Sequence, residues 1–245
     1  MHGTARVAMV LCGALAREVI AIGKARGWDA GLVDLIGISA REHMTPVTIA
    51  PLVEAKLRDL IPRYERVIVV YGDCGTRGAL DAVLDAYNVP RIAGPHCFEM
   101  YGGAAHHDAL MAEEPGTFFL SDFFLRGFDG LMWKGLGLDK HPELLGDYFA
   151  NYKQLVYLAQ APDTALLAKA QAVSTRLGLP LTVRQTGYGE LETRLAALMD
   201  DIFSPGHAPR RDRLEHDNIS DPLLGRHPVA SPRPRRTRAR QFSAE

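Results

Sequence analysis

The residues best able to do chemistry in this chain of 245 are its three cysteines, Cys12, Cys74 and Cys97. Their thiolates would bind soft metal ions or attack carbon, although no CxxC pair is present to announce either role. Each follows a short apolar run, in LCGAL, YGDCGTRG and GPHCFEMYGG, and each opens a segment with helical spacing. If those runs are strands of one parallel sheet, all three thiols fall on its carboxyl edge, where helix amino termini point and ligands bind. The partial positive charge there is expected to favour the thiolate. Three sulfurs with a fourth ligand or an open position suit zinc, and three sulfurs suit an iron–sulfur cluster with one exchangeable iron. The competing reading is packing alone, since free cysteine often serves as a small buried hydrophobe.

Neighbouring residues complete the candidate set. His96, beside Cys97, offers an imidazole for ligation or proton transfer, and His43, in REHMTP after the second strand, lies on the same edge as a further metal ligand. Asp73 could accept from a ring nitrogen or hold a metal-bound water in a catalytic role, or it could simply cap a turn. Arg77 is placed to hold a phosphate or carboxylate of a bound cofactor, with ordinary surface charge as the alternative. Gly13, Gly75 and Gly78 permit tight turns and close approach of a cofactor to backbone. His106 and His107 stand outside the strand ends and are expected to be structural or exposed. Neither GxGxxG nor GK[ST] occurs, which argues against a nicotinamide or nucleotide cofactor.

The elements that must position these residues read as alternating strands and helices. Apolar runs at 7–11, 32–36, 66–71 and 89–93 predict four strands, and helices are expected at 14–26, 49–60 and 78–87. The runs are mostly unbroken rather than alternating, the mark of a parallel sheet covered on both faces. Residues 123–149, rich in aromatics and glycine, read as a cover or linker. Order returns with a helix at 106–113, strands at 117–120, 154–159 and 181–184, and helices at 163–177 and 190–200, with Asp163 at an N-cap and Gly178 just past a helix end. The fold class is therefore Rossmann-like α/β, as one long sheet or two lobes, with boundaries at 1–115, 116–203 and a disordered Pro/Arg-rich tail at 204–245.

Composition sets outer limits. Hydrophobic residues make up 47%, enough to fill a core, and no apolar run approaches the length of a membrane span. Three cysteines are too few for a disulfide scaffold, and the opening MHGTARVAMVLCG lacks signal-peptide features, so a cytoplasmic protein is expected. Nine arginines against five acids lie in 205–245, which leaves the body mildly acidic and gives no reason to expect nucleic acid on the folded part. The basic tail reads as an arm for anionic partners or as a solvated extension.

With LCGAL, YGDCGTRG and GPHCFEMYGG followed by GTFFLSDFF and YKQLVYLAQ, the chain resembles the bacterial and archaeal family called domain of unknown function 1638, over about residues 5–200. The family's recurrent cysteines match Cys12, Cys74 and Cys97, and its histidines match His96 and His43. In place of a Leu-His-Asn type of loop stand Glu42, His43 and Met44. Members are encoded beside corrinoid proteins and methyltransferases, so the resemblance implies one-carbon metabolism, with a small-molecule substrate and corrinoid or methyltransferase partners. Nothing resembles the DxHxxG cobalamin loop, so direct corrinoid binding is not expected. Three hypotheses follow: a zinc or iron–sulfur enzyme or accessory protein with Cys12, Cys74, Cys97 and His43 or His96 as ligands; a metal-free enzyme with Cys74 as nucleophile and His96 as base; or a non-catalytic small-ligand binding or regulatory protein.

Overall fold

In the computed structural model, which describes residues 7–28 and 32–203, six strands form two three-stranded parallel sheets. The first comprises β1 (Val7–Cys12), β2 (Val33–Ile38) and β3 (Arg66–Val70) in the order β2-β1-β3; the second comprises β4 (Thr117–Ser121), β5 (Gln154–Ala159) and β6 (Leu181–Gln185) in sequential order. β1 is buried along its whole length, as its unbroken VAMVLC requires of a central strand covered on both faces. Edge strand β2 instead is buried only at its two ends, Val33 and Ile38, with half-exposed and exposed residues between them. The expected α/β class is correct.

The chain leaves β1 through α1 (Ala16–Ala25) to reach β2, then crosses back through α2 (Ile49–Leu60) to β3 on the other side of β1. Right-handed crossovers in opposite directions put α1 and α2 on opposite faces. A crevice therefore opens between the carboxyl ends of β1 and β3, the switch point where parallel sheets bind ligands.

The predicted fourth strand is corrected by the structure. Residues 89–93 make only one parallel bridge, Val69 to Arg91. The Val69 N–H donates to Pro90 O, and the Ile92 N–H donates to Val69 O. Pro90 has no N–H to continue the ladder, and Gly94, with φ at +124°, turns the chain away. The connections then run through α3 (Ala79–Ala86), α4 (Cys97–Gly102) and α5 (Ala104–Glu113) into β4. After β4, α6 (Asp122–Phe128), a π turn at Asp129–Trp133 and α7 (Leu145–Phe149) lay Phe128, Leu138 and Phe149 into the second core, so the aromatic segment expected as cover or linker covers the second sheet. α8 (Thr164–Leu177) carries its expected cap, Asp163 accepting from the Leu166 N–H at 2.7 Å, and ends at Gly178 with φ at +68°.

The last described helix, α9 (Glu190–Phe203), belongs by sequence to the second half but packs into the first core through Leu191, Leu195, Met199 and Ile202. Arg66 donates to the Ile202 carbonyl at 3.0 Å, and β4 and β5 add Phe119, Val156 and Leu158 to the same cluster. Among the described residues no helix is long and apolar enough to cross a membrane. The tail expected at 204–245 lies outside the described residues.

At the carboxyl end of the second sheet, Asp122 is only 1% exposed and accepts from the Tyr157 hydroxyl at 2.6 Å and from the N–H groups of Gln160 and Ala161 at 3.1 and 3.0 Å. Asp122→Ala removes a shared acceptor and leaves two buried donors, the Tyr157 hydroxyl and the Gln160 N–H, unpaired, so it is expected to lower stability by about 3 kcal/mol, read as a drop in the urea unfolding midpoint; an unchanged midpoint would contradict this account.

Candidate thiol site at the switch point

Cys12 ends β1 and caps the 3-10 turn Gly13–Leu15, its sulfur accepting from the Ala14 N–H at 3.4 Å. Gly13 is needed here because a Cβ would stand 3.0 Å from the Ile38 carbonyl at the end of β2. Cys74 sits in a loop where Cys74, Gly75, Arg77 and Gly78 all have positive φ, a conformation costly for the two that are not glycine. Asp73 organises that loop: its oxygens accept from the N–H groups of Gly75, Arg77 and Gly78 and from the Thr76 hydroxyl at 2.7 Å. Burial acts to raise its carboxyl, but these hydrogen bonds prevail and hold it below the ordinary range. The bonds Asp73 makes are thus those of a loop cap, the alternative its position had allowed, and no ring nitrogen is among its partners in the described residues. Arg77 is exposed, and its guanidinium has no partner among the described residues.

The Cys74 loop meets the Cys97 loop backbone to backbone. The Cys74 N–H donates to Pro95 O at 2.8 Å, and a Cβ on Gly72 would stand 2.7 Å from Pro95 O and 2.9 Å from His96 N. Only glycine allows that approach. Cys97 then opens α4, with His96 as N-cap accepting from the Glu99 N–H through Nδ1 at 3.2 Å.

The charge of Cys12 acts on both Cys74 and Cys97, and that of Cys74 on Cys97. Burial pushes Cys74 up to about 12, with the charge of Cys12 adding to it. Burial likewise pushes Cys97 far up, followed by Cys12 and Cys74, against a downward pull from the N–H groups of Cys97 and Phe98. Cys12 is raised by burial against the N–H of Ala14. The sequence expectation that helix amino termini favour thiolates is thus overturned: the N–H groups act in the expected direction, but desolvation outweighs them. As free groups, these are protonated thiols.

The two histidines differ in tautomer. The His43 Nδ1 lies 2.9 Å from the Ala40 carbonyl, to which it must donate, leaving the Nε2 lone pair available. The His96 Nδ1 is an acceptor, so its neutral ring carries the proton on Nε2. The ring of His43 stacks on Tyr71, with centroids 5.5 Å apart and planes 13° apart. His96 packs edge-on against His107 at 5.0 Å, and His107 is buried, inside the structural-or-exposed expectation for it.

Sequence reasoning missed the polar lining. Among the described residues, Glu18 Oε2, the hydroxyls of Tyr71 and Tyr101, and His107 Nδ1 are buried without a hydrogen bond of good geometry, although Tyr71 lies beside Cys12 and Tyr101 beside Glu18. All four adjoin the thiol loops or their histidines. Tyr71 is held above its ordinary range by burial and by Cys12 and Cys74, and Tyr101 by burial, Glu18, Cys97 and Cys12. Glu18 is raised by burial and by Asp122, which brings the second sheet's carboxyl edge to the same region. One signal was legible: Leu15, Glu18, Val19 and Ile22 share a helical stripe, so the acid had to face the core.

Among the described residues no three His, Cys, Asp or Glu side chains are placed to hold a metal ion as they stand. A cavity of about 420 Å³ lies further along α4, lined by Tyr101, Gly103, His106, Arg184, Thr186 and Glu190. It touches the thiol region only through Tyr101, and it holds none of the cysteines; the chemistry of the donor set, rather than the hollow, marks the candidate site.

A family model described as "Protein of unknown function (DUF1638)" matches residues 38–195. The matched span holds His43, Cys74, His96 and Cys97, while Cys12 precedes it. No curated protein and no solved structure matches the chain.

Two measurements test this geometry. Gly72→Ala is expected to cost about 1–3 kcal/mol by forcing two backbones apart, and to speed alkylation of Cys74 relative to wild type. Burial lowers the pKa of His43, so the unfolded chain takes up its proton first as pH falls. The stability tied to its neutral form is therefore complete above about pH 6.5 and is lost below it. His43→Gln should flatten that part of the stability–pH profile; an unaltered slope would show that His43 titrates alike in both states.

Proposed function

The chain belongs to the DUF1638 family, and from that premise we propose that it is a soft-metal protein in which Cys12, Cys74 and Cys97, with His43 as fourth donor, take up zinc or the exchangeable-iron type of iron–sulfur cluster. The observation that supports this reading is the placement of the three thiols on neighbouring loops: Cys12 ends β1, the Cys74 loop follows β3 beside it, and the Cys74 N–H joins that loop to the one that presents Cys97. Protonated thiols crowded out of water are a poor resting arrangement for a nucleophile but a good one for a cation, whose charge reverses the penalty and draws the protons off. The donor set fits the group by type: three sulfurs, and an imidazole whose Nδ1–H is pinned to a carbonyl, as in metal sites with an oriented histidine. To converge, the side chains must turn from the positions they hold here.

A metal-free Cys74 nucleophile is the poorer reading, because a thiol near 12 leaves only about one molecule in 10⁵ as thiolate at neutral pH. His96 is also less suited to ligation than His43, since freeing its Nε2 would break the cap on α4. Bound zinc would lower the pKa of a thiol or water and act as a Lewis acid on a substrate oxygen. The chain's own part is to supply the sulfurs, exclude water through the buried lining and keep His43 in the ligating tautomer. A role in corrinoid- or folate-linked one-carbon chemistry, with a small-molecule substrate and methyltransferase or corrinoid partners, rests on the sequence resemblance.

Full-length protein purified without oxygen should carry about one equivalent of zinc, or iron with sulfide and a visible charge-transfer band. Each single Cys→Ser change should abolish it. His43→Ala should weaken retention by about tenfold or more, whereas His96→Ala should leave the stoichiometry unchanged and cost about 1 kcal/mol of stability through the lost cap. Protein without metal, unable to bind added Zn²⁺ or Co²⁺ through sulfur, removes the proposal.

A further inference from the structure

Arg194 lies on α9, far in sequence from every thiol, yet its guanidinium grips both ends of the segment that presents Cys97. One nitrogen donates to the Ala93 carbonyl at 3.0 Å and to Glu99 Oε2 at 2.7 Å; the other donates to Glu99 Oε1 at 2.6 Å and to the Glu190 carboxylate. Ala93 precedes the turn that leads to Cys97, and Glu99 stands in the first turn of the helix that Cys97 opens. The pair is shielded, with side chains 17% and 7% exposed for Arg194 and Glu99. Gly94 leaves the room this needs: a Cβ there would stand 2.5 Å from the Arg194 nitrogen, and φ at +124° is closed to other residues. His96, the cap of α4, lies between the two grip points, so the bidentate fork fixes the loop's direction as well as its place.

We propose that Arg194 is the positioning residue for Cys97, a clamp by which α9 holds the third thiol against the other two. The clamp deepens the soft-metal reading and rests on it for its purpose, but its geometry is testable in the metal-free protein. Removing Arg194 alone would strand a buried carboxylate, so the test pairs Arg194→Lys with the double change Glu99→Gln/Arg194→Gln, which removes both charges.

The experiment is timed alkylation of the metal-free full chain with iodoacetamide, resolved by mass spectrometry for each cysteine, with Co²⁺ titration alongside. In the double variant, Cys97 should react about tenfold faster relative to Cys12 than in wild type, through local release of its loop, with the lysine variant in between. Equal acceleration at all three thiols would report general loosening and overturn the clamp, as would no change at Cys97. If wild type binds Co²⁺ through sulfur, the double variant should lose charge-transfer intensity; if it does not, the soft-metal reading fails while the alkylation result still decides the role of Arg194.

Discussion

The candidate site depends on one steric permission. At Gly72 the end of β3 runs so close to Pro95 and His96 that only a residue without a Cβ fits, and the Cys74 N–H completes the junction by donating to Pro95. That contact matters because the segment between the loops carrying Cys74 and Cys97 makes a single bridge to the sheet rather than a full strand. Cys12 needs no such device. It sits at the end of the central strand, and the order β2-β1-β3 puts β3 beside it. Sheet topology thus brings two of the thiol loops together, and one backbone contact recruits the third.

Electrostatics then sets the state of what has been gathered. Helix amino termini pull the Cys97 thiol toward ionisation, and partial loss of water pushes it the other way more strongly. Glu18 and the phenols of Tyr71 and Tyr101 follow the same rule, all held toward their neutral forms by desolvation. Burial thus biases these groups toward their neutral forms, a bias that a positive charge would oppose in several of them at once.

Much of this was legible in the amino-acid order because it is local. Mostly apolar runs pointed to all six strands, and to a seventh that did not form, and a thiol next to a strand end follows the strand, so the common edge of Cys12 and Cys74 could be read in advance. What escaped was the work of the third dimension. Residues 89–93 look like a strand, but Pro90 and the turn at Gly94 reduce them to a bridge. Asp73 looked like a candidate for chemistry, and only the positive φ values that follow it reveal a carboxylate occupied by its own loop. The thiol ionisation was misjudged because a helix dipole can be read from spacing, whereas desolvation depends on everything packed around it. For Arg194 the sequence could offer only its i,i+4 pairing with Glu190, since the partners that tie it to the Cys97 segment are 95 and 101 residues away.

The return of α9 to the first core has a consequence for how the protein is made. Contacts such as Arg66 to Ile202 span 136 residues, so a ribosome will have released nearly all of the described chain before they can form. β1, β2 and β3 can assemble early, with two cysteines already at the crevice, while the segment bearing Cys97 waits for a helix not yet synthesised. Folding is in this sense sequential by construction: the first sheet can form on the nascent polypeptide, while the core it shares with α9 closes only after that helix emerges.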